Sequence, residues 1–280
     1  MLKRLFLISR PRFWMYPIGS VLIGIGCSGP LSLQISTFPI IILWLLYFTF
    51  PSNIFMYGIN DIADTDTDKN NAKKDEYEVR ISRNDNRNII ISIIITHIIF
   101  LPILFYSSKD VIYLFLVYII FNILYSLPPV RLKRIPIIDS LSNGIICAAV
   151  GLIGYLIAGG TEVAIFAVMA GFLWSTAMHA YSAIPDIEAD KKSKVSTIAT
   201  LLGTKKTLYF CLYIYILIAI IFISNSYPYH SLLTLPYIIL ILMSINKENK
   251  KGDVFSVYKK FPYVTYVVGY LVYLFTILVK

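Results

Sequence analysis

Two groups of polar side chains lie where two long apolar segments of the chain end. One group begins at residue 60 and the other at residue 186. Carboxylate and amide oxygens are hard ligands that suit hydrated divalent metal ions, and neighbouring lysines favour a strongly anionic partner such as a diphosphate. The members are Asn60, Asp61, Asp64 and Asp68 in the first group, and Asp186 and Asp190 in the second.

The spacing of the first group indicates one side of a helix. Asn60, Asp64 and Asp68 recur every four residues, and Asp61 lies about a quarter-turn away, from where it can turn toward the same site. Like charges at this spacing destabilise a bare helix, so a compensating cation is expected, and Mg²⁺ suits oxygen ligands in this number. The alternative is a polar loop rich in Asp and Asn, of which the run 67–71 is typical.

The second group repeats this pattern. Asp186 and Asp190 are again four residues apart, whereas Glu188 points elsewhere on a helix. Pro185 marks the bend at which the apolar segment ends. Acidic residues also favour the first turn of any helix, so this group alone has an ordinary structural explanation. Because the two groups align at a constant offset of 122 residues, we interpret them as halves of one site.

Basic residues accompany both groups. Arg10 precedes the first apolar segment, Lys73 and Arg80 follow the first acidic group, and Lys133 follows the fourth apolar segment. Cations at such positions would neutralise a metal-bound diphosphate and assist its departure. The alternative is that they only mark the cytoplasmic side of a membrane protein. We favour that explanation for the run 191–194 and the functional one for Arg10 and Lys133.

Three further polar side chains, Tyr125, His179 and Tyr181, are candidates for contact with an acceptor or with a metal-bound water. His179 is equally well explained as a satisfied residue at the membrane interface. The chain also contains 17 Phe, 21 Tyr and 3 Trp. Rings that line a cavity can stabilise a carbocation, although most such rings are packing or interfacial residues.

The composition assigns these groups to a membrane protein. The mean hydropathy is +0.71, hydrophobic residues make up 57% of the chain, and charged residues make up 15%. These values exclude a soluble globular chain and are typical of a polytopic helical membrane protein. The three cysteines lie inside apolar stretches, which indicates packing residues and not a disulfide framework.

A helix needs about 20 apolar residues to cross the hydrocarbon core of a bilayer. We predict an all-α protein, a single domain over residues 1–280, in which nine transmembrane helices surround a central cavity. The acidic groups end the second and sixth spans, which indicates two four-helix halves, about 1–130 and 131–250, followed by a ninth helix. The predicted spans are 14–30, 38–60, 88–106, 111–127, 137–158, 163–182, 207–224, 231–245 and 262–279.

The basic residues predict the orientation. With the amino terminus in the cytoplasm, all 25 Lys and Arg residues except Lys109 and Lys280 fall in cytoplasmic segments, as the positive-inside rule requires. We therefore predict an integral membrane protein with its amino terminus and active site on the cytoplasmic side. The membrane is expected to be a prokaryotic plasma membrane. The net charge of +9 then attracts anionic lipids and substrates. Nucleic acid is excluded as a partner because the basic residues are scattered over membrane-bounded loops.

Two other classes of membrane protein use comparable groups. An ion-coupled transporter stays the alternative from another class, but it would bind its cation in the middle of spans, whereas these carboxylates lie at span ends beside long basic loops. A CDP-alcohol phosphotransferase also uses Mg²⁺ in the membrane. Its Asp-Gly-x-x-Ala-Arg sequence is absent, since Ile62 follows Asp61.

The motifs Asn60-Asp-x-x-Asp64-x-x-x-Asp68 and Asp186-x-x-x-Asp190, in a nine-span frame, make the chain similar to the UbiA superfamily of intramembrane prenyltransferases. The similarity covers nearly the whole chain. It implies a Mg²⁺-bound prenyl diphosphate held by both motifs and by basic residues. The implied metal ligands are Asn60, Asp61, Asp64, Asp68, Asp186 and Asp190, of which Asp64, Asp68, Asp186 and Asp190 are catalytic. The implied phosphate contacts are Arg10, Lys73, Arg80 and Lys133.

Within that superfamily the chain most resembles the lycopene elongase-like branch. This resemblance implies a Mg²⁺-dependent enzyme that transfers a prenyl group from an allylic diphosphate to a lipophilic acceptor, a carotenoid in that branch. The arginine–proline repeat common in quinone and haem branches is missing. Another lipid acceptor, such as a quinone precursor or a glycerol phosphate ether lipid, stays open. The stretches that carry the resemblance are 9–14, 71–80, 179–190 and 197–203.

Overall fold

The structure of the protein is a computed structural model that describes residues 2–29, 38–65 and 79–278. Every element of regular secondary structure in these ranges is a helix, which confirms the predicted all-α class. Asp68 and Lys73, two of the predicted site residues, lie outside the described residues.

The described residues form fourteen α-helices, numbered in chain order. They are α1 Leu2–Ile8, α2 Met15–Cys27, α3 Phe38–Tyr47, α4 Phe50–Asp64, α5 Arg83–Phe100, α6 Lys109–Ser126, α7 Ile138–Ile157, α8 Ile165–Ser182, α9 Ile187–Lys192, α10 Ile198–Ser224, α11 Pro228–Leu232, α12 Leu235–Asn249, α13 Phe255–Tyr258 and α14 Phe261–Leu278. Short 3-10 helices occupy Pro11–Phe13, Leu101–Tyr106, Leu132–Arg134 and Ile184–Asp186.

Seven helical segments of the described ranges are long and apolar enough to cross a membrane. The two other predicted spans correspond to α2, which has 13 residues, and to α8, which contains Ser175, Thr176 and His179. An integral membrane protein is thus confirmed, whereas the exact count of nine spans is not. The seven segments are Phe38–Asp64, Arg83–Tyr106, Lys109–Ser126, Ile138–Ile157, Ile198–Ser224, Pro228–Asn249 and Phe255–Leu278.

The outer surface is apolar where lipid would cover it. On α5, Ile94, Ile98 and Ile99 are 51%, 63% and 64% exposed. Soluble proteins rarely expose a continuous apolar stripe of this kind. This face of α5 is therefore suited to contact with lipid tails.

Prolines explain why two predicted spans consist of two helical pieces each. Pro51 stands in the first turn of α4, where the chain leaves α3, and Pro102 lies in the 3-10 segment that continues α5. A proline removes a backbone donor and clashes with the preceding turn. The predicted spans 38–60 and 88–106 are interrupted at these points.

Six long helices pack side by side in a closed ring, in the order α2, α7, α8, α10, α12, α14 and back to α2. The ring encloses a chamber of about 560 Å³. Its lining is largely apolar and comes from all six helices, with Leu152, Phe166 and Ile218 among the contributors. The predicted cavity is therefore present, and α2 and α14, from opposite parts of the chain, close it.

A second apolar core lies beside the ring and involves α3, α4, α6 and α7. Trp44, Tyr47 and Phe48 are almost completely buried in it. Aromatic side chains contribute large buried areas and restrict how neighbouring helices can shift. This core therefore fixes the position of α4, whose carboxyl end carries the first acidic motif.

Glycines allow α2 and α7 to cross in close contact. A Cβ atom on Gly24 would lie 2.0 Å from the carbonyl oxygen of Gly151, and one on Gly154 would lie 2.2 Å from the carbonyl oxygen of Val21. Small residues let membrane helices approach until their backbones touch. Larger side chains at these positions would separate the two helices and enlarge the ring.

Gly24→Ala is expected to lower thermal stability, because its methyl group must displace α7, and overpacking costs about 1–3 kcal/mol. The melting temperature of the purified protein in detergent measures the effect. Gly19→Ala is the matched control on the same helix, since a Cβ atom there meets nothing within 4 Å. Equal melting temperatures for the two variants would contradict the close crossing of α2 and α7.

Candidate active site

The first acidic motif lies at the carboxyl end of α4, which ends at Asp64. Asn60 Oδ1 and Asp64 Oδ2 both accept hydrogen bonds from the Lys133 ammonium, at 2.8 and 2.5 Å from Nζ. The two side chains therefore share one face of the helix, as their spacing predicts. Their oxygens converge on a cation, which is also the arrangement that a metal ion requires.

Lys133 reaches the motif because the connection from α6 to α7 folds back over the end of α4. Arg131 has a left-handed backbone with φ 48° and leads into the 3-10 turn that carries Lys133. Arg131 Nη2 lies 3.0 Å from Asp64 Oδ1 and 2.7 Å from the Ala63 carbonyl oxygen. Lys133 is only 8% exposed, and a buried charge is costly unless it is paired. The carboxylate and the two cations therefore stabilise one another.

Asp61 faces a different cation. It is 1% exposed, and its Oδ1 lies 2.8 Å from Nη2 of Arg10. Arg10 also has a left-handed backbone, with φ 51°, and its guanidinium lies 4.4 Å above the centre of the Tyr57 ring. Arg10 and Lys133 thus approach the end of α4 from two separate segments of the chain.

The second acidic motif follows α8. The 3-10 turn Ile184–Asp186 ends with its first carboxylate, and α9 carries Asp190. Asp190 Oδ2 accepts a long hydrogen bond of 3.5 Å from Oγ1 of Thr197, the residue that caps α10. Glu188 is exposed and lies 3.4 Å from Lys191, so it points away from Asp190, as predicted.

Tyr125 lies near both acidic motifs. Its hydroxyl lies 2.7 Å from His179 Nε2, and the charges of both Asp64 and Asp190 act on it. Tyr125 lies at the carboxyl end of α6, and His179 lies near the carboxyl end of α8. The ends of α4, α6 and α8 are therefore close together, and both acidic motifs occupy one end of the bundle. We call this region, residues 60–64, 125–140 and 179–198, the acidic end.

A buried carboxylate that sequence reasoning missed also lies at the acidic end. Asp139 is fully buried, and its Oδ2 accepts a hydrogen bond of 3.1 Å from the Ile198 amide. Its Oδ1 has no hydrogen-bond partner within the described part of the chain. The adjacent Ser140 hydroxyl lies 3.1 Å from His179 Nδ1. Asp139 is a lone aspartate at the start of an apolar span, and this pattern could have indicated a functional residue.

The side chain of Tyr181 and the backbone of Arg80, two other predicted residues, make their contacts with other parts of the bundle. Tyr181 is buried among α8, α12 and α13, and its hydroxyl lies 2.7 Å from that of Ser244. Arg80 lies next to α1 and α5, where its carbonyl accepts a hydrogen bond from Arg4. Arg4 also binds Asp85 at 2.6 Å, and this hydrogen bond raises the pKa of Arg4. The backbone at residue 80 is therefore anchored to α1.

The oxygen ligands of the first motif are suited to the usual mode of Mg²⁺ binding in proteins. Across residues 2–29, 38–65 and 79–278, no three acidic, histidine or cysteine side chains come close enough to cage a metal ion on their own. Mg²⁺ keeps several waters and is usually bound by one or two carboxylates together with substrate phosphates. The oxygens of Asn60 and Asp64, which converge on an ammonium group, match this mode.

A row of aromatic rings connects the acidic end with the chamber. The Tyr57 ring beneath Arg10 lies 6.0 Å from the Phe13 ring, which lies 5.6 Å from the Tyr16 ring. Tyr16 lines the chamber and lies 6.3 Å from Trp174, another lining residue. The site therefore joins a charged region to an apolar one, which suits a ligand with an anionic head and a hydrocarbon tail.

Comparison with known proteins gives one family and several relatives. The model of the UbiA prenyltransferase family matches residues 19–278. The lycopene elongase/hydratase of Haloarcula japonica is 34% identical over 272 residues, which cover 96% of this chain and 89% of that protein. That of Halobacterium salinarum is 36% identical over 245 residues, 86% of each chain. That of Corynebacterium glutamicum is 30% identical over 237 residues, 81% of this chain and 79% of the relative.

Solved structures share the fold. A UbiA homolog from Archaeoglobus fulgidus bound to DMAPP and Mg²⁺ gives a TM-score of 0.76 at 19% identity, covering 99% of this chain and 100% of that chain. The A. fulgidus homolog bound to GPP and Mg²⁺ gives 0.71 at 20% identity, covering 97% and 99%. These likenesses confirm the predicted fold.

Proposed function

Because the chain belongs to the UbiA prenyltransferase family, we propose that it transfers a prenyl group from an allylic diphosphate to a carotenoid acceptor, with Mg²⁺ as cofactor. The observation that carries the proposal is the acidic end, where Lys133 bridges Asn60 and Asp64 and the charges of both motifs act on Tyr125. This polar region adjoins an apolar chamber of about 560 Å³.

The names of the relatives support the substrates. The three lycopene elongase/hydratases are 30–36% identical to this chain over most of its length, which supports a carotenoid polyene as acceptor. Solved structures of the same fold hold GPP or DMAPP together with Mg²⁺, which supports an allylic diphosphate as donor.

The cofactor would be held by the acidic residues of both motifs. When bound, Mg²⁺ would neutralise the diphosphate and stabilise it as a leaving group. The proposed ligands within the described ranges are Asn60, Asp61, Asp64, Asp186 and Asp190, and Asp68 is proposed from its spacing alone.

Basic side chains of the chain assist the departure of the diphosphate. The allylic carbon–oxygen bond breaks, and its electron pair remains on the diphosphate. Arg10, Arg131 and Lys133 pair with carboxylates of the first motif at 2.8, 3.0 and 2.5 Å. These cations can turn to phosphate oxygens when the carboxylates engage the metal. Lys73 and Arg80 are proposed as further phosphate contacts.

The acceptor attacks as an electron-rich alkene, whose π electrons form the new carbon–carbon bond. This step needs no base before attack. The Phe13 and Tyr16 rings lie between the acidic end and the chamber, where their faces can stabilise positive charge. The apolar lining keeps bulk water away from the allylic cation. Tyr125 and His179 are assigned to the reacting end, whereas Tyr181 is engaged with Ser244.

The acidic end is proposed to face the cytoplasm of a prokaryotic cell. The turns that carry Arg10 and Lys133 lie at this end, as do Lys191 and Lys192 at the end of α9. Basic residues concentrate on the cytoplasmic side of membrane proteins. Labelling of an engineered cysteine beside Glu188 in sealed vesicles of known orientation would test this assignment.

The division into two repeated halves within one domain is also a proposal. The backbone at Arg10 and at Arg131 is left-handed, and each arginine leads through a 3-10 turn toward a long helix of the ring, α2 or α7. Non-glycine residues seldom adopt this conformation. The repeated local geometry supports halves of about 1–130 and 131–250, followed by α14.

One experiment tests the function. Purified protein in lipid is given Mg²⁺, dimethylallyl diphosphate and lycopene, and the products are identified by mass. We expect the acceptor to gain a prenyl unit, and EDTA to abolish this product. Parallel incubations use a quinone precursor and a glycerol phosphate ether lipid. Transfer to either of these, with none to lycopene, would overturn the proposed acceptor, and failure to transfer to any acceptor would overturn the proposed function.

A further inference from the structure

Two tyrosine–histidine pairs of nearly the same geometry occur in the described part of the protein. The Tyr125 hydroxyl lies 2.7 Å from His179 Nε2, with the two rings at 88° to each other. The Tyr47 hydroxyl lies 3.1 Å from His97 Nε2, with the rings at 87°. The pairs differ in what surrounds them, and this difference indicates that only the first takes part in chemistry.

The surroundings of Tyr47 and His97 are apolar. Tyr47 packs against the rings of Phe100 and Phe115, and His97 packs against Phe55. The remaining ring nitrogen of His97, Nδ1, lies 2.8 Å from a backbone carbonyl oxygen in its own helix. This pair is fully explained as a satisfied polar contact inside the second apolar core.

The surroundings of Tyr125 and His179 are acidic. The charges of Asp139, Asp64 and Asp190 act on the Tyr125 hydroxyl, which is also hydrogen-bonded to the Asn143 side chain. Asp64 and Asp190 are proposed metal ligands, so the bound metal would neutralise their charge. Asp139 is different, because it is fully buried and its Oδ1 lacks a hydrogen-bond partner in the described ranges. A buried carboxylate oxygen without a hydrogen-bond partner stabilises a positive charge that forms nearby.

The hydrogen bonds allow a proton to move from Tyr125 to His179. We assign the Tyr125 hydroxyl as donor to Nε2, because a phenol is more acidic than the serine hydroxyl on the other side of the ring. His179 Nδ1–H then donates to Ser140 Oγ, 3.1 Å away. In this arrangement Nε2 carries the lone pair that can accept a proton, and Ser140 holds the ring in position.

The relatives named lycopene elongase/hydratase indicate that water is added to the acceptor. We propose that Tyr125, backed by His179, takes the proton from this water molecule. This inference rests on the proposed function. Attack of the alkene leaves a carbocation on the acceptor, close to the carbon that has just left the diphosphate. Because the diphosphate would be held between the two acidic motifs, this cation forms beside Tyr125, on which the charges of both motifs act.

Water capture conserves atoms and charge. A lone pair of the water oxygen forms the carbon–oxygen bond to the acceptor cation. One water proton passes to the Tyr125 oxygen while the phenolic proton passes to His179 Nε2. The products are a tertiary alcohol and a protonated His179, whose charge Asp139 stabilises. The proton then leaves with the diphosphate. Tyr125 meets the water directly, and His179, Ser140 and Asp139 are positioning residues that act through it.

The test measures how the reaction ends, separately from whether prenyl transfer occurs. Wild type, Tyr125→Phe and His179→Gln react with Mg²⁺, dimethylallyl diphosphate and lycopene in water enriched in ¹⁸O. Glutamine offers an oxygen that can accept the Tyr125 hydrogen bond but cannot hold the proton. His97→Gln is the matched control, because it makes the same substitution in the Tyr47 pair. Melting temperatures verify that each variant is folded.

We expect wild type to form a prenylated product with one ¹⁸O-labelled hydroxyl. In Tyr125→Phe and His179→Gln the labelled share of prenylated product is expected to fall at least about tenfold, with an unsaturated product in its place. His97→Gln is expected to match wild type. A wild-type product without ¹⁸O, or an unchanged labelled share in either variant, would overturn the inference and leave the proposed function intact. A wild type that forms no prenylated product would overturn both.

Discussion

Replacing Asp64 by asparagine is expected to lower the turnover number by on the order of a thousandfold, and Asp186→Asn is expected to do the same. Asparagine keeps the size of the side chain and one of its oxygens but lacks the charge that a divalent cation requires. At residue 64 that oxygen still accepts a hydrogen bond from Lys133, so we expect the fold to persist. Prenyl transfer at saturating Mg²⁺ and the melting temperature of each variant are the measurements.

Glu188→Gln is the matched control for these substitutions. Its carboxylate lies between Asp186 and Asp190 in sequence, yet the side chain is exposed and faces Lys191 at 3.4 Å. Exposed ion pairs contribute little, so we expect activity within about twofold of wild type. Full activity of Asp64→Asn or Asp186→Asn would show that the assigned metal ligands are wrong.

Lys133→Met is expected to lower kcat/KM for the prenyl diphosphate by about a hundredfold, which corresponds to roughly 2.7 kcal/mol. Methionine preserves the apolar stem but removes the ammonium group that bridges Asn60 and Asp64. Lys133 is almost completely buried, so dissolved cations cannot readily replace its charge. Initial rates over a range of diphosphate concentrations, at constant Mg²⁺, measure the loss.

The matched control is Lys191→Met, which removes an equal charge from an exposed residue that also lies at the acidic end. We expect it to change kcat/KM by less than about twofold. If both substitutions reduced kcat/KM equally, the basic residues at the acidic end would act through their total charge alone. Lys133 would then have no specific contact with the phosphate.

The acidic motifs were predictable because their periods are local properties of the sequence. Asn60 and Asp64 are one helical turn apart, and the structure turns both toward Lys133. Glu188 breaks the spacing of its neighbours and does point away. The all-α class and the family follow from the same motifs together with the apolar spans. The roles of these residues as metal ligands stay predictions.

Contacts between distant segments were not predictable from spacing. Arg131 reaches Asp64 through a left-handed backbone, a conformation that the residue type does not indicate. Asp139 binds the Ile198 amide across 59 residues of sequence. Both contacts depend on how the helix ends are arranged around the chamber, which is a property of the packed bundle.

The count of nine spans is not confirmed, for a related reason. The predicted span 14–30 extends three residues beyond Cys27, but α2 ends there, after 13 residues. In α8, Ser175 donates a hydrogen bond to the Asn143 carbonyl, and His179 contacts Ser140. These polar residues serve the contact between α7 and α8 and make α8 less apolar than a helix that faces only lipid. Hydropathy alone does not distinguish a helix with polar contacts to a neighbouring helix from a helix that faces only lipid.

Because α14 closes the ring, removal of this carboxyl-terminal helix would disturb contacts at the other end of the chain. Tyr266 on α14 donates a hydrogen bond to the carbonyl oxygen of Arg12, in the turn that follows Arg10. α14 also packs along α2, opposite α7. A truncation before Phe261 would therefore loosen the arginine turn and open the hydrocarbon compartment to lipid, although it removes none of the charged groups assigned to catalysis.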